Sequence, residues 1–113
     1  MPHCVIEHFQ AFASTRDQDK AMQLALGACT RSDTIALADL KVRCVGADAI
    51  LFGDGRTSFI HITLSMLAGR TERQKVELAE NLRDEFRNAF PAIQSISVDI
   101  RDMDPGCYRK SLR

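Results

Sequence analysis

The order of periodic segments constrains this chain more than any single residue does. Strand, helix and strand are followed by a sharp turn, and then the same three elements recur, all within 113 residues. The clearest segment is Phe59 to Leu67, where apolar and polar side chains alternate with the period of two expected of a half-buried strand. His3 to Phe9 reads as another strand, and Ser95 to Arg101 as the last, with Ile96, Val98 and Ile100 on its buried side. Ile35 to Val45 is expected to be the second strand, placing Leu40, Val42 and Cys44 opposite Lys41, Arg43 and Val45. Ala49 to Phe52 is expected to continue it past a bend at Gly46, and Gly53-Asp54-Gly55 then makes the turn.

Two helices fill the gaps. Ala21, Leu24, Ala25 and Ala28 mark one face of a helix from about Asp17 to Ser32. Val76, Ala79, Leu82, Phe86 and Phe90 form the apolar stripe of a second, which Thr71 and Gln74 open with capping-box spacing and Pro91 limits. The predicted class is α+β: a duplicated β-α-β unit with both helices on one face of a small mixed sheet. Roughly residues 1–53 and 58–104 are the two halves and 105–113 a basic, extended tail, together one domain with a modest core. Cys4, Ile6, Ile60, Ile62 and Leu64 are expected on the other sheet face. Two helices would leave that face bare, and packing between copies of the chain would cover it.

Bulk composition removes several classes of partner. Lys plus Arg and Asp plus Glu balance at 15 each, so no global field draws the chain to nucleic acid or an anionic membrane. No terminal apolar run is long enough for a signal peptide or a membrane span, which makes a cytoplasmic protein the expectation. Cys4, Cys29, Cys44 and Cys107 are scattered and expected to be reduced. They and the three histidines (His3, His8, His61) lack zinc spacing, so no metal site is expected.

Pro2 carries the first chemical suggestion. A proline can simply open a strand, where its missing N–H costs nothing. If the initiator methionine is removed, however, the same residue exposes a secondary amine fixed to backbone rather than to a mobile side chain. A free α-amine has a reference pKa of about 7.7–8.0. Burial and neighbouring cations lower that value and make the amine a competent base at neutral pH. Lys41 and Arg43 share a strand face, where such charges also serve to protect an edge from aggregation. Arg70 precedes a helix N-terminus, a mildly unfavourable place for a cation.

Several of these features together resemble the tautomerase superfamily, most closely its 5-carboxymethyl-2-hydroxymuconate Δ-isomerase branch. They are the N-terminal M-P-H, Leu40-Lys41-Val42-Arg43, the Asp54-Gly55 turn, Phe59-Ile60-His61-Ile62-Thr63-Leu64, and Ala68-Gly69-Arg70-Thr71. The resemblance implies a trimer of duplicated β-α-β chains that works without metal or organic cofactor in the degradation of aromatic acids. It implies that Pro2 shuttles a proton between carbons of an unsaturated dicarboxylic or tricarboxylic acid, and that arginines hold the carboxylates and stabilise the dienolate. On this chain those cations are Arg70, Arg43 and Lys41, the last standing where the branch has the first arginine of R-x-R. Lysine is a point charge without the planar two-donor fork of a guanidinium, so one carboxylate is expected to be held differently.

Two other readings compete. One is a tautomerase acting on another α-keto or unsaturated acid. The second is a non-catalytic ferredoxin-like module that binds a small molecule, since the element order fits that architecture too. Neutral charge and the lack of an aromatic RNA-binding strand argue against a nucleic-acid reader.

Overall fold

The computed structural model describes residues 2–113, so the expected removal of Met1 lies outside the described residues. Its elements are strand β1 (His3–Phe9), helix α1 (Thr15–Thr30), a short 3-10 turn (Leu37–Asp39), strands β2 (Lys41–Gly46) and β3 (Phe59–Leu67), helix α2 (Glu72–Ala89) and strand β4 (Ser95–Met103). The strands form one mixed sheet in the order β2-β1-β3-β4. β1 runs parallel to β2 and antiparallel to β3, and β4 runs parallel to β3. Each parallel pair is joined through a helix. Such crossovers are right-handed almost without exception, and here that rule sends both helices to the same side of the sheet.

The core lies between that side and the helices. Cys4, Ile6, Ile60, Ile62, Leu64 and Met66 from the sheet meet Ala21, Ala25, Cys29, Leu82 and Phe86 from the helices, all at 0% exposure. This corrects the expectation that Cys4, Ile6, Ile60, Ile62 and Leu64 occupy a bare face. Alternation separates a strand into two sets of side chains without saying which set the helix covers. Burial favours the more apolar set by about 25 cal/mol for every Å² hidden from water. The uncovered face carries the other set, in rows such as Lys41, His3, Ser65 and Arg101, and Arg43, Val5, Thr63 and Asp99. These rows are largely polar, but Val5, Phe9, Val45, Phe59 and Leu67 share the same face, so it is mixed rather than the continuous apolar surface expected.

Three other expectations change. Residues 35–40 are not strand, because β1 is the only neighbour and the ladder ends where the Lys41 N–H donates to the Pro2 carbonyl at 3.1 Å. Ile35 instead drops into the core and Leu37 turns outward in the 3-10 segment. Ala49 to Phe52 makes no strand either, and Leu51 is 96% exposed. The α2 stripe is Leu78, Leu82, Phe86 and Phe90 at steps of four, while Val76 faces outward at 47% exposure. The capping box forms as read: the Gln74 N–H donates to the Thr71 hydroxyl at 3.1 Å, and the Thr71 N–H donates to Gln74 Oε1 at 2.9 Å. α1 begins two residues early, at Thr15, after Ser14, whose side chain makes no capping bond.

Candidate active site

Strand directions gather the residues singled out above at one end of the sheet. The parallel strands β1 and β2 both start there, and β3 and β4 both finish there. Pro2 is buried at the entry to β1, a central strand, and its carbonyl is fixed by Lys41. Lys41 and Arg43 are exposed on the edge strand β2, in register with His3 and Val5 on the uncovered face. Arg70 follows the end of β3.

The side chain of Arg70 is half-buried and docked on backbone. Its Nη2 donates to the Thr34 carbonyl at 3.1 Å, with Nε at 3.4 Å on the same oxygen, while Nη1 donates to the Leu67 carbonyl at 3.0 Å. Arg70 therefore ties the loop after α1 to the exit of β3, a structural role absent from the sequence reading. A guanidinium has five N–H donors, and two remain for a ligand.

Arg43 has a partner that periodicity does not reveal. Its Nη1 lies 3.3 Å from His3 Nδ1, and His3 Nε2 lies 3.4 Å from the Tyr108 hydroxyl. The tail is thus not simply extended. It turns at residues 105–107 and returns Tyr108 to the start of β1. Burial, reinforced by the positive charges of Arg43, Lys41 and Lys110, pushes the His3 pKa below its ordinary value of 6.5 and favours the neutral ring. Further along the uncovered face, His61 has the satisfied bond expected of it, with Nδ1 at 2.6 Å from Ser97 Oγ.

Two surface clefts lie away from this sheet end. One of about 270 Å³ opens between α1 and β2, against Met22, Gln23, Leu26 and Val42. The other, about 120 Å³, lies between Arg31 and Ser32 on one side and Gln74 to Asn81 on the other. Neither is lined by Pro2, Lys41, Arg43 or Arg70. Among the described residues, no group of three or more His, Cys, Asp or Glu side chains is arranged to hold a metal ion, and no helix is long and apolar enough to cross a membrane.

Solved structures share this architecture over nearly the whole chain. A 5-carboxymethyl-2-hydroxymuconate isomerase from Deinococcus radiodurans R1 superposes with a TM-score of 0.80 at 21% identity, covering 99% of this chain and 90% of that one. Pt0534 inactivated by 2-oxo-3-pentynoate gives 0.82 at 16% identity, covering 96% and 92%. A fused 4-OT described as a symmetric trimer gives 0.78 at 16%, covering 96% and 91%. No curated protein matches the sequence. A four-stranded mixed sheet bearing two helices on one side, shared with these proteins, defines the tautomerase fold. The finer assignment comes from sequence: the profile of the 5-carboxymethyl-2-hydroxymuconate isomerase family matches residues 2–110, and the chain belongs to that family. It is an isomerase, and the reading as a non-catalytic ferredoxin-like module is set aside.

Proposed function

We propose that this isomerase moves a proton between carbons of an unsaturated 2-hydroxy or 2-keto dicarboxylic or tricarboxylic acid. In this reading it acts as a 5-carboxymethyl-2-hydroxymuconate Δ-isomerase in aromatic acid degradation, using no cofactor. Pro2, freed by loss of Met1, is the base. It takes a proton from the substrate, leaving a dienolate, and returns that proton to another carbon. Lys41, Arg43 and Arg70 bind the carboxylates and offset the negative charge that grows as the proton leaves. The same cations disfavour the protonated amine, so one cluster tunes the base and holds the acid. The observation that carries this reading is the convergence of Pro2, Lys41 and Arg70 on one sheet end in a chain matching the family over residues 2–110.

Assembly as a homotrimer belongs to the proposal, supported by the symmetric trimer among the structures of this fold. A second reading is turnover of a different 2-oxo acid. It is favoured by Lys41 and by the 2-oxo-3-pentynoate that inactivates Pt0534.

Intact-mass analysis and an ultraviolet isomerisation assay test the proposal together. The expected results are loss of Met1, conversion of 5-carboxymethyl-2-hydroxymuconate, and labelling at the Pro2 nitrogen by 2-oxo-3-pentynoate. Pro2→Ala is expected to slow turnover by about a hundredfold or more. Full activity in a protein that keeps Met1 would remove Pro2 from the mechanism, because an acylated nitrogen is not a base.

A further inference from the structure

The contact between the tail and β1 goes beyond that reading. The geometry points to His3 as a positioning residue: braced by Tyr108 of the C-terminal tail, it aims the Arg43 guanidinium at a substrate carboxylate. The inference rests on the carboxylate-binding role proposed for Arg43.

The hydrogen bonds have only one consistent direction. A guanidinium can donate but not accept, so Arg43 Nη1, at 3.3 Å, requires His3 Nδ1 to be the acceptor. The ring must then be neutral with its proton on Nε2, which faces the Tyr108 oxygen at 3.4 Å. The Tyr108 ring stands edge-on to the imidazole, with centroids 6.4 Å apart. Its approach is set by the turn in which Asp104 accepts from the N–H groups of Gly106 and Cys107 at 2.9 and 3.0 Å. Arg43 itself is exposed on an edge strand, where a long side chain samples many rotamers unless something holds it.

The surroundings keep His3 neutral. Lys41 and Arg43 face it from β2, Tyr108 and Lys110 from the tail, and uncharged Ser65 from β3, and the positive charge of the chain N-terminus acts on it as well. Arg101 follows in the same row on β4, paired with Asp99 at 2.7 Å. Acidification would charge the ring, abolish its acceptor and turn attraction for Arg43 into repulsion. Michaelis constants for acidic substrates should then rise at low pH through His3, apart from any loss of turnover through Pro2.

The test compares Arg43→Gln, His3→Ala, His3→Asn and Tyr108→Phe on a dicarboxylate substrate, alone and combined. His3→Ala should raise KM about three- to tenfold with kcat nearly unchanged, Tyr108→Phe somewhat less. His3→Asn keeps an acceptor near the Nδ1 position, so it should recover much of the loss and lack the acid-side rise in KM. In the Arg43→Gln background the His3→Ala effect should vanish. By proton NMR, Arg43→Gln should move the His3 titration upward. If Arg43→Gln leaves KM unchanged, the carboxylate role fails and the inference falls with it. If Arg43→Gln raises KM while His3→Ala does not, or if the two losses add independently, only the positioning role is overturned.

Discussion

Replacing Arg70 with methionine keeps the length of the side chain's apolar stem and removes a guanidinium that the fold itself uses. Two carbonyls lose a charged donor, Thr34 at 3.1 Å and Leu67 at 3.0 Å, while the 3.4 Å contact from Nε is long and shares the Thr34 oxygen. Fully buried bonds to a charged group are worth about 1.5–3 kcal/mol each. Arg70 is only half-buried and water can replace it, so we expect about 1 kcal/mol per carbonyl, a total near 2 kcal/mol. For a chain of this size that corresponds to a fall in melting temperature of roughly 8 °C. Urea unfolding at a fixed protein concentration measures it, because association would make the apparent stability depend on concentration. Arg70→Lys should recover about half, since one ammonium cannot easily span both carbonyls. It should also raise KM for acidic substrates, having lost the two N–H groups left free for a ligand. A methionine variant within about 0.5 kcal/mol of wild type would refute the docking on Thr34 and Leu67.

Leu82→Ala should cost about 2–5 kcal/mol in urea unfolding, because Leu82 is fully buried between α2 and the sheet; a loss below about 1 kcal/mol would mean the core is packed otherwise. Thiol chemistry should be uneven. A hydrogen bond with the Cys29 thiol and burial push the Cys4 thiol far above its usual range, and burial raises Cys44. Exposed Cys107 should therefore react first with a disulfide reagent, and Cys4 only on unfolding, as peptide mapping of the labelled protein would report. Burial lowers His8, whose ring packs on Phe12 with centroids 4.6 Å apart, below the ordinary 6.5. The unfolded chain then binds more protons than the folded one, so stability present above pH 6.5 should decline as the pH falls toward the folded value. An NMR midpoint for His8 at or above 6.5 would contradict this.

Local patterns were readable wherever one short segment decides the outcome. The alternation in Phe59–Leu67 and the Thr71–Gln74 capping box needed no partner to be recognised, and both appear as read. Ile35 to Leu40 has strand-like composition, but a strand also needs a neighbour, and the length of β1 supplies none before Lys41. Which face of the sheet is covered is hidden for a related reason, since helix placement follows from crossover handedness rather than from either strand alone. At the candidate site, Pro2, Lys41, Arg43 and Arg70 were singled out from residue type and order. The Arg70 contacts with Thr34 and Leu67, and the link from His3 to Tyr108, join distant parts of the chain. His3 and Tyr108 are 105 residues apart, and no spacing rule brings such a pair together.

The proposed base, Pro2, is carried by the main chain at the mouth of a mid-sheet strand and so has almost no rotatable bonds of its own. Its steadiness then derives from the first rung of the ladder, the 3.1 Å bond from the Lys41 amide to the Pro2 carbonyl. Fraying at that rung would blunt turnover well before the protein melts. Under the proposed mechanism, the deuterium uptake rate of one backbone hydrogen, that of Lys41, would gauge catalytic readiness.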